Sequence, residues 1–370
     1  MNGMDQFEST INRMPVRTWD QLHVNDVGLV LRGAGQMSGA DGADIHASGE
    51  VIIKQDFDGL KLAMDLTGPF VPAEMGMFIG AHANRRHFIR IPKGHAEQEP
   101  VTLRLCLNPE NPVLMDDIVI EAEEGSSATV ILEYACESSA PVHHCGRTRI
   151  LVRRDASLKL VKVQMLDGGA AHTDAIGGMA EEGARLDVIV AELGAARPLS
   201  SCNLILEGEG GSAELDVIYL GDGKRALDIS CRAEHRGRKT VSNICAKGVL
   251  LEQSRKVFRD TLDFVSGASG SRGREEESVL LLGSEVRNVS VPLLLCGEDE
   301  VEGEHAASSG RPDEKTLFYL MSRGIDELEA KKLLAQAAVS SIIEKIPDAS
   351  IRDKILDAVR GSIEKGGRTA

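Results

Sequence analysis

Short segments in which apolar and polar residues alternate recur along the chain from about residue 100 onwards. Leu186, Val188 and Val190 form one such segment, and Val130 with Leu132 belongs to another. This period of two is typical of strands that bury one face. A turn rich in glycine or charge precedes each segment. The turns lie at Gly125, Asp155, Gly183, Gly211, Gly237, Gly267 and Gly297. Their spacing of 26 to 30 residues predicts a solenoid.

The content of each repeat indicates which solenoid to expect. A second strand-like stretch follows the first after about a dozen residues, as in 200–209 after 184–194, and no clear helical pattern separates them. Two strands per coil joined by short turns predict a parallel β-helix with a shared core. An antiparallel β-sandwich is the alternative, because Asp167-Gly168 and Asp222-Gly223 could form hairpin turns.

The residues before the repeats form a mixed region. Residues 7–19 could hold a short helix broken by Pro15, and 33–49, rich in Gly, Ala, Ser and Asp, resemble a loop. We therefore expect three parts: an N-terminal mixed region over 1–85, a β-helix core over 86–310 and a helical domain over 311–370.

The pattern changes to a helical period after residue 310. Asp313 begins one predicted helix, Gly324 ends it, and Asp326 with Glu329 forms the capping signal of a second helix. Apolar residues then recur at spacings of three and four through the second and third helices. The positions are Leu333, Leu334, Ala337, Ala338, Ile342, Ile346, Ile351, Ile355, Leu356, Val359 and Ile363. We expect part of this stripe to cap the end of the solenoid and the rest to face a partner.

Composition and charge exclude several classes of function. The net charge of −15 argues against nucleic-acid binding, which needs a basic surface. Aromatic residues make up only 3%, which leaves a polysaccharide-active β-helix enzyme as the less favoured alternative, because such an enzyme needs aromatic stacking platforms. No apolar run approaches the roughly 20 residues of a membrane span. The seven cysteines include no CxxC pair, which indicates reduced thiols and a cytoplasmic location. No phosphate-binding loop or nucleophile motif is present, so we expect no enzyme activity.

A long segment near the C-terminus resembles the signature of the SufB/SufD family, the scaffold proteins of iron–sulfur cluster assembly. The matching positions are His305, Ala307, Ser308, Gly310, 317–320, 322–325, Glu327 and Ala330. HFIRIPKG at 87–94, LEYACESSA at 132–140, VKVQ at 161–164 and SSCNLIL at 200–206 resemble further family segments in the same order. The resemblance implies a right-handed parallel β-helix with a C-terminal α-helical domain.

The resemblance also implies roles for particular residues. The sulfur-accepting cysteine of the family falls at Cys136, and a glutamine that lines the path of sulfur through the β-helix falls at Gln164. A cluster-related histidine falls at His305, with Glu304 beside it as a possible oxygen ligand. The alternatives are a cysteine that fills the core, a glutamine facing solvent and a histidine that bonds to backbone groups. Cys136 with His143, His144 and Cys145 could also form a zinc site, although their spacing fits no standard frame.

The resemblance implies partners as well. It predicts an ABC-type ATPase, SufC, bound through the apolar residues Leu333, Leu334, Ala337 and Ala338, and a homodimer or heterodimer with a second SufB/SufD-like chain. The apolar late segments 279–282 and 291–296 are the expected dimer contact. The only cofactor expected is a transient Fe–S cluster, with nothing tightly bound, and neither nucleic acid nor membrane is an expected partner.

Two departures from the family pattern leave the role open. SufB-type chains carry a cysteine near 276–278, where this chain has none, and the residue after His305 is Ala306 rather than the glutamate of SufB or the glycine of SufD. A SufD-like structural partner without its own cluster is therefore the main alternative to a cluster-building scaffold. We expect the four later cysteines, Cys202, Cys231, Cys245 and Cys296, to be core residues.

Overall fold

The computed structural model describes residues 6–17, 20–32, 43–55, 66–68, 70–136 and 141–367. Two nine-stranded sheets dominate this part of the chain. Sheet 1 contains β3 (Ala43–His46), β6 (Val101–Leu107), β8 (Ser127–Cys136), β10 (Ser157–Met165), β12 (Arg185–Glu192), β14 (Ser212–Gly221), β16 (Val241–Leu250), β18 (Ser271–Leu281) and β20 (Val301–Gly310). Sheet 2 contains β4 (Ile52–Gln55), β5 (Arg85–Ile91), β7 (Val113–Ala122), β9 (His143–Val152), β11 (Ala171–Ala180), β13 (Arg197–Leu206), β15 (Ala226–His235), β17 (Arg255–Phe264) and β19 (Arg287–Cys296).

Successive strands alternate between the two sheets, which makes the fold a parallel β-helix. Each strand from β5 to β18 pairs in parallel with the strand two places later. Within these two sheets the antiparallel pairs are β3 with β6 and β4 with β5, at the N-terminal end. The predicted β-helix is confirmed, and the antiparallel sandwich is wrong. Asp222-Gly223 lies in a turn between strands of the two sheets rather than in a hairpin.

The space between the two sheets, here called the lumen, holds the main apolar core. Inward positions stack in columns from strand to strand because the register is parallel. One column of sheet 1 runs through Val130, Leu160, Val188, Leu215 and Ile244, all of them buried. Each coil therefore continues the core of the previous coil, as the repeat spacing requires.

Three helices follow the last strand: α2 (Glu314–Ser322), α3 (Glu327–Ile343) and α4 (Ala349–Gly367). Asp313 caps α2 by accepting hydrogen bonds from the backbone of Lys315 and Thr316, and Asp326 caps α3 through Glu329 N–H. These helices are the predicted ones, and Gly324 between them adopts a positive φ of 88°, which suits glycine.

The expected position of the apolar stripe was wrong. Helices α3 and α4 do not cap the end of the β-helix, since they pack along the outer face of sheet 1. Val339, Ile342, Ile355 and Val359 contact outward residues of β8 to β16 such as Ile189. The reason is that both faces of these strands are apolar, so the outer face also needs cover. Ion pairs also join this region to sheet 1. Lys345, in the turn after α3, pairs with Asp216 at 2.8 Å and with Glu214 at 3.5 Å, and Lys354 of α4 pairs with Glu133 at 2.7 Å.

The N-terminal region covers the outer face of sheet 2. It comprises β1 (Gln6–Ile11) and β2 (Val27–Arg32), which pair antiparallel, and helix α1 (Ala73–His82). The expected helix within 7–19 is wrong, because 6–11 form a strand whose Ile11 is fully buried; Trp19 lies outside the described residues. The expected loop over 33–49 is likewise interrupted by β3, and its residues 33–42 lie outside the described part.

Candidate functional site in the lumen of the β-helix

A chain of buried polar side chains crosses the lumen between the two sheets. Asp116 Oδ1 lies 2.5 Å from His144 Nε2, and the Nδ1 atoms of His144 and His172 lie 2.7 Å apart. His172 Nε2 is 3.5 Å from Glu192 Oε1, whose other oxygen accepts a hydrogen bond of 3.0 Å from Gln164. Each of the five residues is at most 3% exposed. The chain joins strands β7, β9 and β11 to β12 and β10.

The acids of this first network all have partners. Tyr134 donates to Asp116 at 3.0 Å, Lys162 donates to Asp174 at 2.8 Å, and Ser200 donates to Glu192. Desolvation works against ionisation of Asp116, but the nearby His144 and Lys162 outweigh it and lower the pKa of Asp116. Burial lowers the pKa of His144, against the opposing effect of the Asp116 carboxylate.

Gln164 belongs to this network. Its side-chain oxygen accepts from Leu166 N–H at 2.8 Å, and its amide donates to Glu192. The structure therefore places Gln164 inside the β-helix with its hydrogen bonds made, and the alternative of a solvent-facing residue is wrong. Its role in the path of sulfur stays a prediction.

Cys136 lies at the end of β8, half-buried at the edge of the core. It lines a cleft of about 580 Å³ together with Leu166, Leu193, Arg225 and Lys365. Cys136 is thus partly exposed beside two cationic side chains, of which Arg225 is paired with Asp222, and Asp167 and Asp357 line the same cleft. His144 does not line this cleft, since its two ring nitrogens bond to Asp116 and His172.

The zinc alternative is wrong for these residues. His144 faces the lumen, whereas Cys145 packs in the outer core beneath helix α1. Neighbouring residues of a strand point to opposite faces, so their ligand atoms diverge. Across the described residues, no three His, Cys, Asp or Glu side chains converge where they could hold one ion.

A second buried network lies further along the lumen, on strands β14, β17, β18 and β19. Lys256 Nζ donates to Glu277 Oε1 at 2.6 Å, and Tyr219 donates to the same oxygen at 2.6 Å. Ser290 donates to the other oxygen of Glu277. Glu277 stands within the segment where SufB-type chains have a cysteine, so a hydrogen-bonded carboxylate occupies this region instead of a thiolate.

Two acids beside this network have carboxyl oxygens without hydrogen-bond partners. Glu275 in β18 is 1% exposed and neither of its oxygens is bonded, and Asp260 in β17 is 4% exposed with Oδ1 unbonded. Desolvation raises the pKa of both groups, and the charge of Asp260 adds to the shift at Glu275. Sequence reasoning missed both residues, because charged residues in a strand normally face solvent.

His305 lies on the last strand, β20, which pairs only with β18 among the described strands. In the parallel register His305 follows Glu275, so it continues an inward column, yet it is exposed because no described strand follows. Glu304 is the register partner of Arg274, and it lies on the face of β20 opposite to that of His305. The structure therefore does not bring Glu304 and His305 together as co-ligands.

The cysteines of the late coils differ from the expectation in one case. Cys202 and Cys231 are buried core residues in adjacent strands, and burial raises the pKa of both thiols. Cys245 is partly buried. Cys296 is exposed, so the prediction of a core position is wrong there. The reason is that Cys296 ends β19 in the last coil, where nothing described stacks on it.

Helices α2 and α3 expose several large apolar side chains. Phe318 is 74% exposed, Tyr319 56%, Met321 47% and Leu333 41%. Of the other residues predicted to bind the ATPase, Ala337 is exposed, Leu334 is half-buried, and Ala338 packs against the core under the helices. Sequence reasoning found Leu333 but missed α2, whose three exposed residues lie inside the family signature.

Residues 105–338 match the family model described as the SufBD core domain of the SUF system for FeS cluster assembly. The chain is 23% identical over 286 residues to the iron–sulfur cluster assembly protein SufD of Bacillus subtilis, covering 77% of this chain and 65% of that protein. It is 26% identical over 266 residues to SufBD family proteins of Staphylococcus saprophyticus and Staphylococcus aureus, covering 70% of this chain and 56% of theirs. The chain thus spans between about half and two thirds of the length of these curated relatives.

No helix in the described part of the chain is long and apolar enough to cross a membrane.

Proposed function

The chain belongs to the SufBD family of SUF iron–sulfur cluster assembly proteins, and from this premise we propose that it is a scaffold subunit that binds an ABC-type ATPase and helps to assemble a cluster at a subunit interface. The Fe–S cluster is the product that the scaffold carries, so no resident cofactor is part of the proposal. The scaffold works in the cytoplasm, where thiols stay reduced.

The exposed apolar surface of α2 and α3 is the observation that carries the proposal. Phe318, Tyr319, Met321 and Leu333 together form a surface, here called the α2–α3 surface, that costs free energy while it faces water. Aromatic residues and methionine are enriched at the centres of protein interfaces. The negative net charge of the chain also suits a protein partner better than a nucleic acid. The SufC-type ATPase is the partner we assign to this surface.

The last coil supports a subunit interface. Strand β20 has one paired edge, and Glu302 to Gly310 are all exposed. An uncovered strand edge tends to pair with another chain. Leu294 on β19 adds an apolar residue that is 40% exposed. A second SufB/SufD-like chain, whether a copy of this one or a different one, would cover both features and bring its own ligands close to His305.

Cys136 is the entry point of sulfur in this proposal. A persulfide on a donor protein would transfer its outer sulfur to the Cys136 thiolate, leaving the donor as a thiolate and Cys136 as a persulfide. Arg225 and Lys365, which line the same cleft, would stabilise the negative sulfur. Gln164 and its polar neighbours then lie on the lumen side of Cys136.

The alternative of a SufD-like partner without its own cluster has one specific observation in its favour. Glu277 accepts hydrogen bonds from Lys256, Tyr219 and Ser290, and it lies in the region where a cluster-building chain has a cysteine. In that case the chain would bind the ATPase and contribute His305 to a cluster held mainly by its partner.

Copurification tests the proposal. The full chain is expected to retain an ABC-type ATPase of the SUF system from the same organism on an affinity column, in a complex that survives gel filtration. Anaerobic addition of iron and sulfide is then expected to produce the broad visible absorbance of a cluster in the complex. A chain that binds no such ATPase and takes up no iron and sulfide would contradict the proposal.

A further inference from the structure

The two polar networks of the lumen differ in how their acids are neutralised. In the first network Asp116, Asp174 and Glu192 each have a direct partner. In the second, Lys256 bonds to Glu277 and so neutralises that carboxylate. Asp260 and Glu275 have no such partner for three of their four oxygens. A buried oxygen without a hydrogen-bond partner costs free energy, so a cation that these three oxygens could coordinate would be stabilising here.

The parallel register shows that these two acids face the lumen. Glu275 continues the column of Leu215 and Ile244, which are core residues of sheet 1. Asp260 continues the column of Cys202 and Cys231, which are core residues of sheet 2. Both side chains therefore enter the lumen from opposite sheets, and Asp260 is close enough for its charge to act on Glu275.

The geometry points to a site for one hard divalent cation between the carboxylates of Asp260 and Glu275, one coil below His305. Carboxylate oxygens are hard ligands that suit Fe²⁺, Mn²⁺ and Mg²⁺, and imidazole is a further ligand for iron. Only two acidic residues contribute, so water or sulfide would complete the coordination shell. The choice of Fe²⁺ as the natural occupant rests on the proposed function, whereas the existence of the site does not.

The position of the site suits the loading of iron. Neighbouring strands of a sheet lie about 4.8 Å apart, so the column step from Glu275 to His305 is within reach of a side chain. In the inward columns of the last coil, Ala307 follows Glu277 and Pro292 follows Asp260. An ion could enter at the exposed last coil, bind to the carboxylates and remain close to His305.

Metal binding without sulfide tests this inference. The full chain is stripped with a chelator and titrated anaerobically with Fe²⁺ by equilibrium dialysis, and with Mn²⁺ by electron paramagnetic resonance. The wild-type chain is expected to bind one ion. Glu275→Gln, which keeps the shape of the side chain, is expected to weaken binding by about 10–100-fold. Glu276→Gln is the matched control, since Glu276 lies on the outer face and pairs with Lys247 and Arg274.

The outcomes separate this inference from the proposed function. Equal stoichiometry and affinity in wild type and Glu275→Gln, or no binding by the wild type at millimolar Fe²⁺ and Mn²⁺, overturns the site. If circular dichroism shows that Glu275→Gln has lost its strands, Asp260→Asn takes its place with the same two outcomes. A wild type that binds Fe²⁺ but forms no cluster with sulfide contradicts the proposed function and leaves the cation site standing.

Discussion

His305 follows Glu275 in the parallel register of the last two strands of sheet 1, which places an exposed imidazole directly above a buried carboxyl group without a hydrogen-bond partner. The first residue is part of a recognisable sequence signature, and the second is not. The proposed cluster ligand and the proposed cation site therefore lie one coil apart at the end of the lumen.

Removing apolar side chains from the α2–α3 surface is expected to weaken ATPase binding. Phe318→Ser and Leu333→Ser each remove a side chain that is already exposed, so the free energy of unfolding should change by less than about 0.5 kcal/mol. Affinity for the ATPase should fall at least about tenfold, because such residues dominate an interface. Isothermal titration checks this, with Val241→Ser, 50% exposed in another element, as control. Unchanged affinity in both variants would show that the ATPase binds elsewhere.

The last coil is expected to mediate self-association or pairing with a second chain. Light scattering at tens of micromolar should report a dimer for the wild type. Leu294→Asp should shift the population to monomer, because it places a charge in the apolar contact at the exposed end. Val241→Asp introduces the same charge on another exposed apolar residue and should remain dimeric. A wild type that is monomeric alone and also with a second SufB/SufD-like chain would contradict the interface.

His235 is expected to make the chain sensitive to acid. It is fully buried, bonds to Thr240 and Ser242, and burial lowers its pKa from 6.5 to about 4. Between pH 6.5 and 4 the unfolded chain therefore binds a proton that the folded chain does not. Stability from this group is fully present above pH 6.5 and is lost as the pH falls towards 4.

The size of the effect follows from the shift, at about 3 kcal/mol. The difference in unfolding free energy between wild type and His235→Gln, measured by urea denaturation, should shrink by roughly this amount from pH 7 to pH 4. His143→Gln, which changes an exposed histidine, should show no such trend. A His235 difference that is constant with pH would mean that the ring takes up its proton at the same pH in the folded and the unfolded chain.

Replacing Gly248 by a larger residue is expected to destabilise the fold, because the ring of Tyr219 occupies the space beside it. A Cβ atom at Gly248 would lie 1.9 Å from Cε2 of Tyr219, the next inward residue of the same column. Gly248→Ala should therefore cost about 1–3 kcal/mol of unfolding free energy. The cost should be much smaller in a Tyr219→Ala background, which makes room for the methyl group. Gly361→Ala, a helical position with open space, should be neutral or stabilising. An equal cost in both backgrounds would mean that the backbone, not Tyr219, requires glycine.

The sequence predicts the fold because the repeat is local and regular. Alternation, turn residues and helix caps each depend on neighbours in sequence, and the parallel register then follows from the constant period. The placement of α3 and α4 could not be predicted in the same way, since which surface an amphipathic helix covers depends on the outer residues of several distant strands. The strand at 6–11 shows the same limit, because its partner, β2, lies some 20 residues further along the chain.

Candidate functional residues could be predicted from the sequence only where they lie in segments that resemble the family. Cys136, Gln164 and His305 stand in segments that resemble the family, and the structure places Gln164 in the lumen and His305 at its end. Asp260 and Glu275 carry no local signal, because a charged residue in an alternating strand is assigned to the outer face by default. Only the register of β17 and β18 with their neighbours shows that these acids point inward.

Anaerobic reconstitution of His305→Ala beside the wild type, with iron content and thermal unfolding measured on the same preparations, tests the central claim most directly. If the proposal is right, His305→Ala should bind iron about 10–100-fold more weakly than the wild type. Its retained iron and its cluster absorbance should fall accordingly. Stability should fall by at most about 1–2 kcal/mol, since an exposed side chain is removed. A lowered melting temperature with unchanged iron content would contradict the ligand role of His305. A wild type that never takes up iron and sulfide, even with its partner chain, would contradict the scaffold itself.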